Sequence, residues 1–169
     1  MSVVIEFLAA SLVLGFLCWS LLQIARSYWK LRGTRVVVCP ETGEYAAVEL
    51  ATWRIAVRAT FRQPPLELRD CSRWRDRPAC AQACRGRIAA APEECLVLTI
   101  LSKWYRDKTC ACCGGTIEPL GRWRHRPCIL SNDMRILEWH AIPAETIPRI
   151  LETHAPVCHT CLVAETHIS

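Results

Sequence analysis

Two stretches decide how this chain folds: Thr109-Cys110-Ala111-Cys112-Cys113-Gly114-Gly115 and Pro156-Val157-Cys158-His159-Thr160-Cys161. Each carries a Cys-x-x-Cys pair, Cys110 with Cys113 and Cys158 with Cys161. Two residues between cysteines let both thiolates point into one pocket. Two such pairs supply four sulfurs at the corners of a tetrahedron, the geometry of a structural Zn²⁺ site. Gly114 and Gly115 permit the positive φ that a knuckle needs once it has supplied its ligands. The chain between the pairs is long enough for a hairpin and a helix.

Twelve cysteines in 169 residues call for metal, disulfides or redox chemistry, and the compartment decides among them. The run from Val3 to Ile24 is apolar except for Glu6, Ser11, Ser20 and Gln23. As a helix it is roughly 33 Å long, enough for a hydrocarbon core of about 30 Å. Trp19, Tyr28 and Trp29 fall toward one end, where amphipathic rings favour the headgroup region. A cleaved signal peptide would carry its basic residues before the apolar run, and here they follow it. Arg26, Lys30, Arg32 and Arg35, with no acid among them, predict that the body of the protein faces the cytoplasm. In that reducing space thiols stay free for metal; the inverted topology would favour disulfides.

Past the membrane, Thr34 to Cys39 and Tyr45 to Leu50 read as a hairpin around Pro40-Glu41-Thr42-Gly43-Glu44. Arg54 to Phe61 reads as a third strand and Leu66 to Arg69 as a fourth. Ala79 to Ala90 and Pro92 to Tyr105 read as helices, with Pro92, Glu93 and Glu94 as an opening turn. Cys80 and Cys84, four apart, share one face of a helix. With Cys39, Cys71 and Cys95 they can assemble a second metal site, for zinc or an iron–sulfur cluster, or they are core thiols.

In the last segment Thr116 to Leu120 and Arg122 to Leu130 are β-like runs with Gly121 at their turn, and Ser131-Asn132-Asp133 marks another. Pro143 to His154 has helical spacing, and Leu162 to His167 is a final short run. A CxxCG knuckle, a hairpin and a second CxxC at the start of a terminal helical run resemble the treble-clef and zinc-ribbon families of zinc fingers, over residues 109–169 only. The resemblance implies a zinc ion on Cys110, Cys113, Cys158 and Cys161. The extra Cys112 departs from the knuckle pattern, and Cys128 is expected to be buried on the hairpin. His125, His140, His154, His159 and His167 all lie in this segment, and His154 or His159 can replace one sulfur.

Other chemistries do not fit. Covalent haem needs Cys-x-x-Cys-His, but Leu162 follows Cys161 and Gly114 follows Cys113. A thioredoxin-like dithiol belongs to a βαβ pattern that is missing, and no P-loop, dinucleotide fingerprint, nucleophile elbow or His-Glu-x-x-His helix occurs. Arginine supplies 18 of 21 basic residues, often beside tryptophan, as in Arg73-Trp74-Arg75, Trp104-Tyr105-Arg106 and Arg122-Trp123-Arg124. The net charge of only +5 favours protein or anionic lipid over nucleic acid as the partner of these pairs.

The expected chain is therefore α+β: a transmembrane anchor with a basic juxtamembrane stretch (1–33), a small β-sheet with helices bearing Cys39, Cys71, Cys80, Cys84 and Cys95 (34–108), and a zinc-finger segment (109–169). The expected role is that of a non-enzymatic, single-pass, cytoplasm-facing accessory or assembly subunit of a larger membrane complex, held rigid by zinc. An iron–sulfur electron-transfer subunit and a thiol or metal sensor are the competing readings.

Overall fold

A computed structural model describes residues 2–59, 64–117 and 128–166. Its first element, helix α1 (Ser2–Leu31), contains a stretch, Val4–Leu31, long and apolar enough to cross a membrane. Gly33 ends it in the left-handed region at φ 106°, and a side chain there would press on Leu96. Glycine at this position is what a helix C-terminus prefers.

Strands β1 (Arg35–Val38) and β2 (Tyr45–Leu50) form the antiparallel hairpin read from the sequence, with Arg35 opposite Val48 and Val38 opposite Tyr45. Ala46, Val48 and Leu50 alternate inward along β2, as the two-residue period of a half-buried strand requires. β3 (Leu68–Cys71) adds to the other side of β2. The segment from Arg54, read above as a strand, instead belongs to helix α2 (Thr52–Ala59), which packs against α1. Ile55 and Ala56, adjacent in the chain, both turn inward while Trp53, Arg54 and Arg58 face out, a split that suits a helix face and not the alternation of a strand. Phe61 lies outside the described residues.

Helix α3 (Cys84–Ala90) is shorter than the sequence implied, and α4 (Val97–Tyr105) begins five residues after Pro92. Pro92 to Glu94 form a turn rather than a helix opening. Cys80 and Cys84 do not share a helix, because Gln82 adopts φ 56° between them and breaks the right-handed run. Val37, Val48, Leu50, Ile55, Cys84 and Ile88 form the first core, and Leu31 from the end of α1 packs against it.

Arg35 is fully buried between the helix and the sheet. Its guanidinium donates to the carbonyls of Lys30, Leu31, Gly33 and Pro92 at 3.4, 2.6, 3.1 and 3.1 Å. It thereby satisfies the last orphan acceptors of α1 and complements the negative end of the helix dipole. Backbone bonds from Val36 to Cys95 and from Val97 to Thr34 fasten the same region to the start of α4.

The second half builds on a sheet in the order β5–β4–β6, from β4 (Cys128–Leu130), β5 (Ile136–Glu138) and β6 (Ala155–Val157), all antiparallel. The turn at Ser131-Asn132-Asp133 is present, with Met134 at φ 64°. A short 3-10 turn, Ala144–Thr146, leads into α5 (Ile147–Thr153), and α6 (His159–Thr166) follows β6. The proposed turn at Gly121 and the run from Arg122 to Pro127 lie outside the described residues.

Leu101 and Tyr105 of α4 bury against Ile129, Trp139 and Ile147. The Tyr105 hydroxyl accepts from the Trp139 indole at 2.9 Å and donates to the Cys128 carbonyl. Tyr105→Phe leaves the Trp139 N–H in the core without that partner. It is expected to cost about 1–3 kcal/mol, seen as a lower denaturant midpoint at unchanged slope, with bound metal unaltered. Across the two halves, Ala144–Thr146 packs on β1 and β2, and Arg149 pairs with Glu44.

Candidate metal centre

Cys110 follows a bridge between Thr109 and Thr116, and its backbone closes a tight turn: its N–H donates to the Gly115 carbonyl at 2.8 Å, and Gly114 N–H donates back to the Cys110 carbonyl at 2.9 Å. Gly114 takes φ 70°, the conformation expected of it. The second pair is delivered by the junction of β6 and α6: Cys158 immediately follows the strand, and Cys161 sits in the first turn of the helix. Ala111 N–H reaches the Pro156 carbonyl at 2.8 Å, tying the two knuckles together. Beneath them Cys110, Cys128 and Val157 are buried with Ile117, Leu130, Ile136 and Leu162 packed around.

The four sulfurs of Cys110, Cys113, Cys158 and Cys161 all lie within 4.8 Å of one another. Cys110 to Cys161 measures 3.7 Å, Cys113 to Cys158 3.8 Å, and Cys158 to Cys161 3.5 Å. A tetrahedron of sulfurs each about 2.3 Å from a central zinc has edges of about 3.8 Å, so these separations fit a metal. They are far longer than a disulfide bond of about 2.05 Å, and all twelve cysteines are free.

Electrostatics favour charge on one of the four in particular. Burial opposes ionisation of Cys110, but N–H donors from Cys158, Cys113 and Cys112 outweigh it and bring the thiol down to about 6. The Cys158 amide stands 3.3 Å from that sulfur. Cys161 moves the other way, raised by burial and by its contacts with Cys158, Cys113 and Cys110. A cation at their centre offsets the mutual repulsion of clustered sulfurs by accepting all four as thiolates.

Cys112 stays exposed and outside the group. Cys128 is buried on β4, as the sequence implied, and its burial pushes the thiol up to about 12, so it stays protonated. Among the described residues no histidine joins the four sulfurs: His154 bonds the Thr153 hydroxyl at 2.7 Å, and His140 lies 3.0 Å from Glu138. His159 begins α6, and His125 and His167 fall outside the described residues. Of the five cysteines in the first segment, Cys39, Cys71, Cys80 and Cys84 line one cavity. Cys95 does not: its thiol turns to the carbonyls of Ala91 and Pro92 at 3.4 and 3.6 Å.

The knuckle spacing pointed to the four clustered sulfurs. It carried no sign of the supports beneath them, Ile117, Val157 and Leu162, or of the Ala111–Pro156 bond, because these arise only when the two knuckles, far apart in the chain, are brought together. No protein-family model matches this chain, and comparison with curated proteins and with solved structures finds no match.

Proposed function

We propose that this chain is a membrane-anchored, cytoplasm-facing, metal-binding accessory or assembly subunit of a larger membrane protein complex, in which zinc serves a structural role. The observation that carries the reading is the set of four sulfurs at tetrahedral separations on two knuckles. Four thiolates complete the shell of a zinc ion and leave no open position for a substrate or water, which suits a structural rather than a catalytic metal. The hairpin β4–β5 and the placement of the second pair at the start of α6 support a treble-clef-like finger as its scaffold.

The membrane arm of the reading rests on α1. Its apolar side chains are exposed over most of their surface, as lipid-facing residues are. Trp29 carries the Arg32 guanidinium 4.1 Å above its ring, an arrangement suited to the headgroup layer. Arg26, Lys30 and Arg32 are exposed at the same end, which supports a body on the cytoplasmic side. Close by, Tyr28, Trp53, Arg54 and Arg69 line an open cleft of about 490 Å³. Its combination of aromatic rings and guanidiniums is the composition of protein-docking surfaces.

Three measurements test the proposal. A C-terminal reporter that works only outside the cytoplasm is expected to stay silent, and activity of that reporter would reverse the orientation. In mild detergent the tagged chain is expected to migrate in a native gel with partner proteins, and to lose them when Cys158 is replaced by serine. A chain that runs alone before and after that substitution is no assembly subunit. A colourless protein with bound zinc separates this reading from an iron–sulfur carrier, which is brown.

A further inference from the structure

Cys39, Cys71, Cys80 and Cys84 come from four places: the residue after β1, the last residue of β3, the turn before α3, and the first residue of α3. They meet around a cavity of about 20 Å³, room for roughly one water-sized particle. Four thiols converging on one small space is unusual for a core that aliphatic side chains could fill.

The turn that holds Cys39 repeats the turn that holds Cys110. Cys39 N–H donates to the Glu44 carbonyl at 2.8 Å, Gly43 N–H donates to the Cys39 carbonyl at 2.9 Å, and Gly43 adopts φ 71°. These match the Cys110, Gly114 and Gly115 values to within a degree and a tenth of an ångström. Aligned in this way, Cys39-Pro40-Glu41-Thr42-Gly43-Glu44 lies on Cys110-Ala111-Cys112-Cys113-Gly114-Gly115, and Thr42 stands where the second knuckle cysteine would be. Thr42 draws the Cys39 thiol below its ordinary value against its burial, helped by the backbone of Glu41 and Thr42. In the other turn the backbone of Cys112 and Cys113 likewise lowers Cys110, together with the Cys158 N–H at 3.3 Å.

Cys80 also accepts a backbone donor, the N–H of Gln82 two residues further on, at 3.3 Å. Cys71 and Cys84 are raised, chiefly by burial, with the other thiols of the set adding to it, a conflict that a cation at their centre removes. Backbone donors aimed at sulfur stabilise thiolate over thiol and are the usual outer support of a metal-bound cysteine. The wall also holds Arg77, paired with Glu41, and Arg73, paired with Glu44, and the Cys80 thiol donates to Glu41 at 3.7 Å.

We propose that Cys39, Cys71, Cys80 and Cys84 bind a second metal ion, a zinc held by four thiolates and independent of the C-terminal centre. On binding, each thiol gives up its proton to solvent and the ion takes the four sulfurs. Among the described residues only the C-terminal four already stand within 4.8 Å of one another, so the second set closes by side-chain rotation as the ion enters. Cys95, whose thiol is turned to two carbonyls, is no part of it. The inference does not depend on the role proposed for the whole chain.

The test is metal analysis of the full-length protein purified in detergent under reducing conditions, which is expected to give two zinc ions per chain. Cys84→Ser and Cys158→Ser are each expected to leave one, the double variant none, and Cys95→Ser both. Alkylation of the unmutated protein guards against variants that fail to fold: labelling of Cys39, Cys71, Cys80 and Cys84 is expected to rise at least tenfold on adding a strong chelator, while Cys18 labelling stays unchanged. A single zinc that Cys158→Ser removes and Cys84→Ser keeps, with no chelator effect on the four thiols, overturns the second site and spares the first. Loss with Cys84→Ser alone keeps the second site and overturns the C-terminal one. An iron chromophore on these four cysteines overturns the assignment to zinc.

Discussion

Replacing Cys158 by serine is expected to release one zinc ion per chain and to open residues 109–169 to protease, and Cys113→Ser is expected to do the same. Structural zinc contributes roughly 10–16 kcal/mol to small zinc-binding folds at neutral pH, as much as or more than the roughly 5–15 kcal/mol that holds an ordinary domain together. The strands that deliver the knuckles are short, β4, β5 and β6 at three residues each, and among the described residues the cluster directly beneath the knuckles buries Cys110, Cys128 and Val157, while Ile129, Trp139 and Ile147 pack separately against α4. Cys128→Ser is the control. It places a hydroxyl in that cluster and weakens packing, but its sulfur is not among the four, so bound zinc should be unchanged. The measurement is zinc per chain, followed by limited digestion. Full zinc and full protection in both knuckle variants would show that these pairs are not the ligands.

Arg35→Leu is the second large effect. The guanidinium serves four carbonyls, and hydrogen bonds to a charged donor are worth about 1.5–3 kcal/mol each. Because bonds to one group are not additive, the loss is expected to be about 3–5 kcal/mol. Thermal unfolding of the detergent-solubilised chain should drop by roughly 10 °C or more. Arg35→Lys should recover little of it, since one ammonium cannot span carbonyls from Lys30 to Pro92 as a planar fork does. An unchanged melting temperature for Arg35→Leu would mean that the cap carries no weight.

Arg35 also shows where reading the chain alone falls short. As a sequence letter it joins Arg26, Lys30 and Arg32 in a basic run, and only three-dimensional packing reveals that it alone is withdrawn from water. The hairpin β1–β2 was legible because Val36 to Val38 and Tyr45 to Leu50 combine β-branched residues with a glycine turn. Helix α2 was not, because β-branched Ile55 and Val57 two apart read as a partly alternating strand, whereas Ile55 and the adjacent Ala56 both turn inward on a helix that packs against α1. The i, i+4 spacing of Cys80 and Cys84 suggested a shared helix face, whereas Gln82 in the left-handed region brings the two thiols to one cavity by another route. The C-terminal four were legible since CxxC spacing is a local constraint. The likeness of the Cys39 turn to the Cys110 turn left one sequence trace, a glycine four residues after each cysteine, too short to weigh without the backbone beside it.

The junction at Gly33 and Arg35 has a further consequence. No slack separates the anchor from the body, so the body cannot tumble about a tether. Any roll of α1 about its axis, or any tilt, is passed on undiminished to the sheet. For a chain anchored in a bilayer, as proposed above, every copy would therefore present its cysteine clusters at one height and one bearing relative to α1. An encounter with a neighbour becomes a search in two dimensions among molecules already facing the right way, with much of the orientational cost of docking met beforehand.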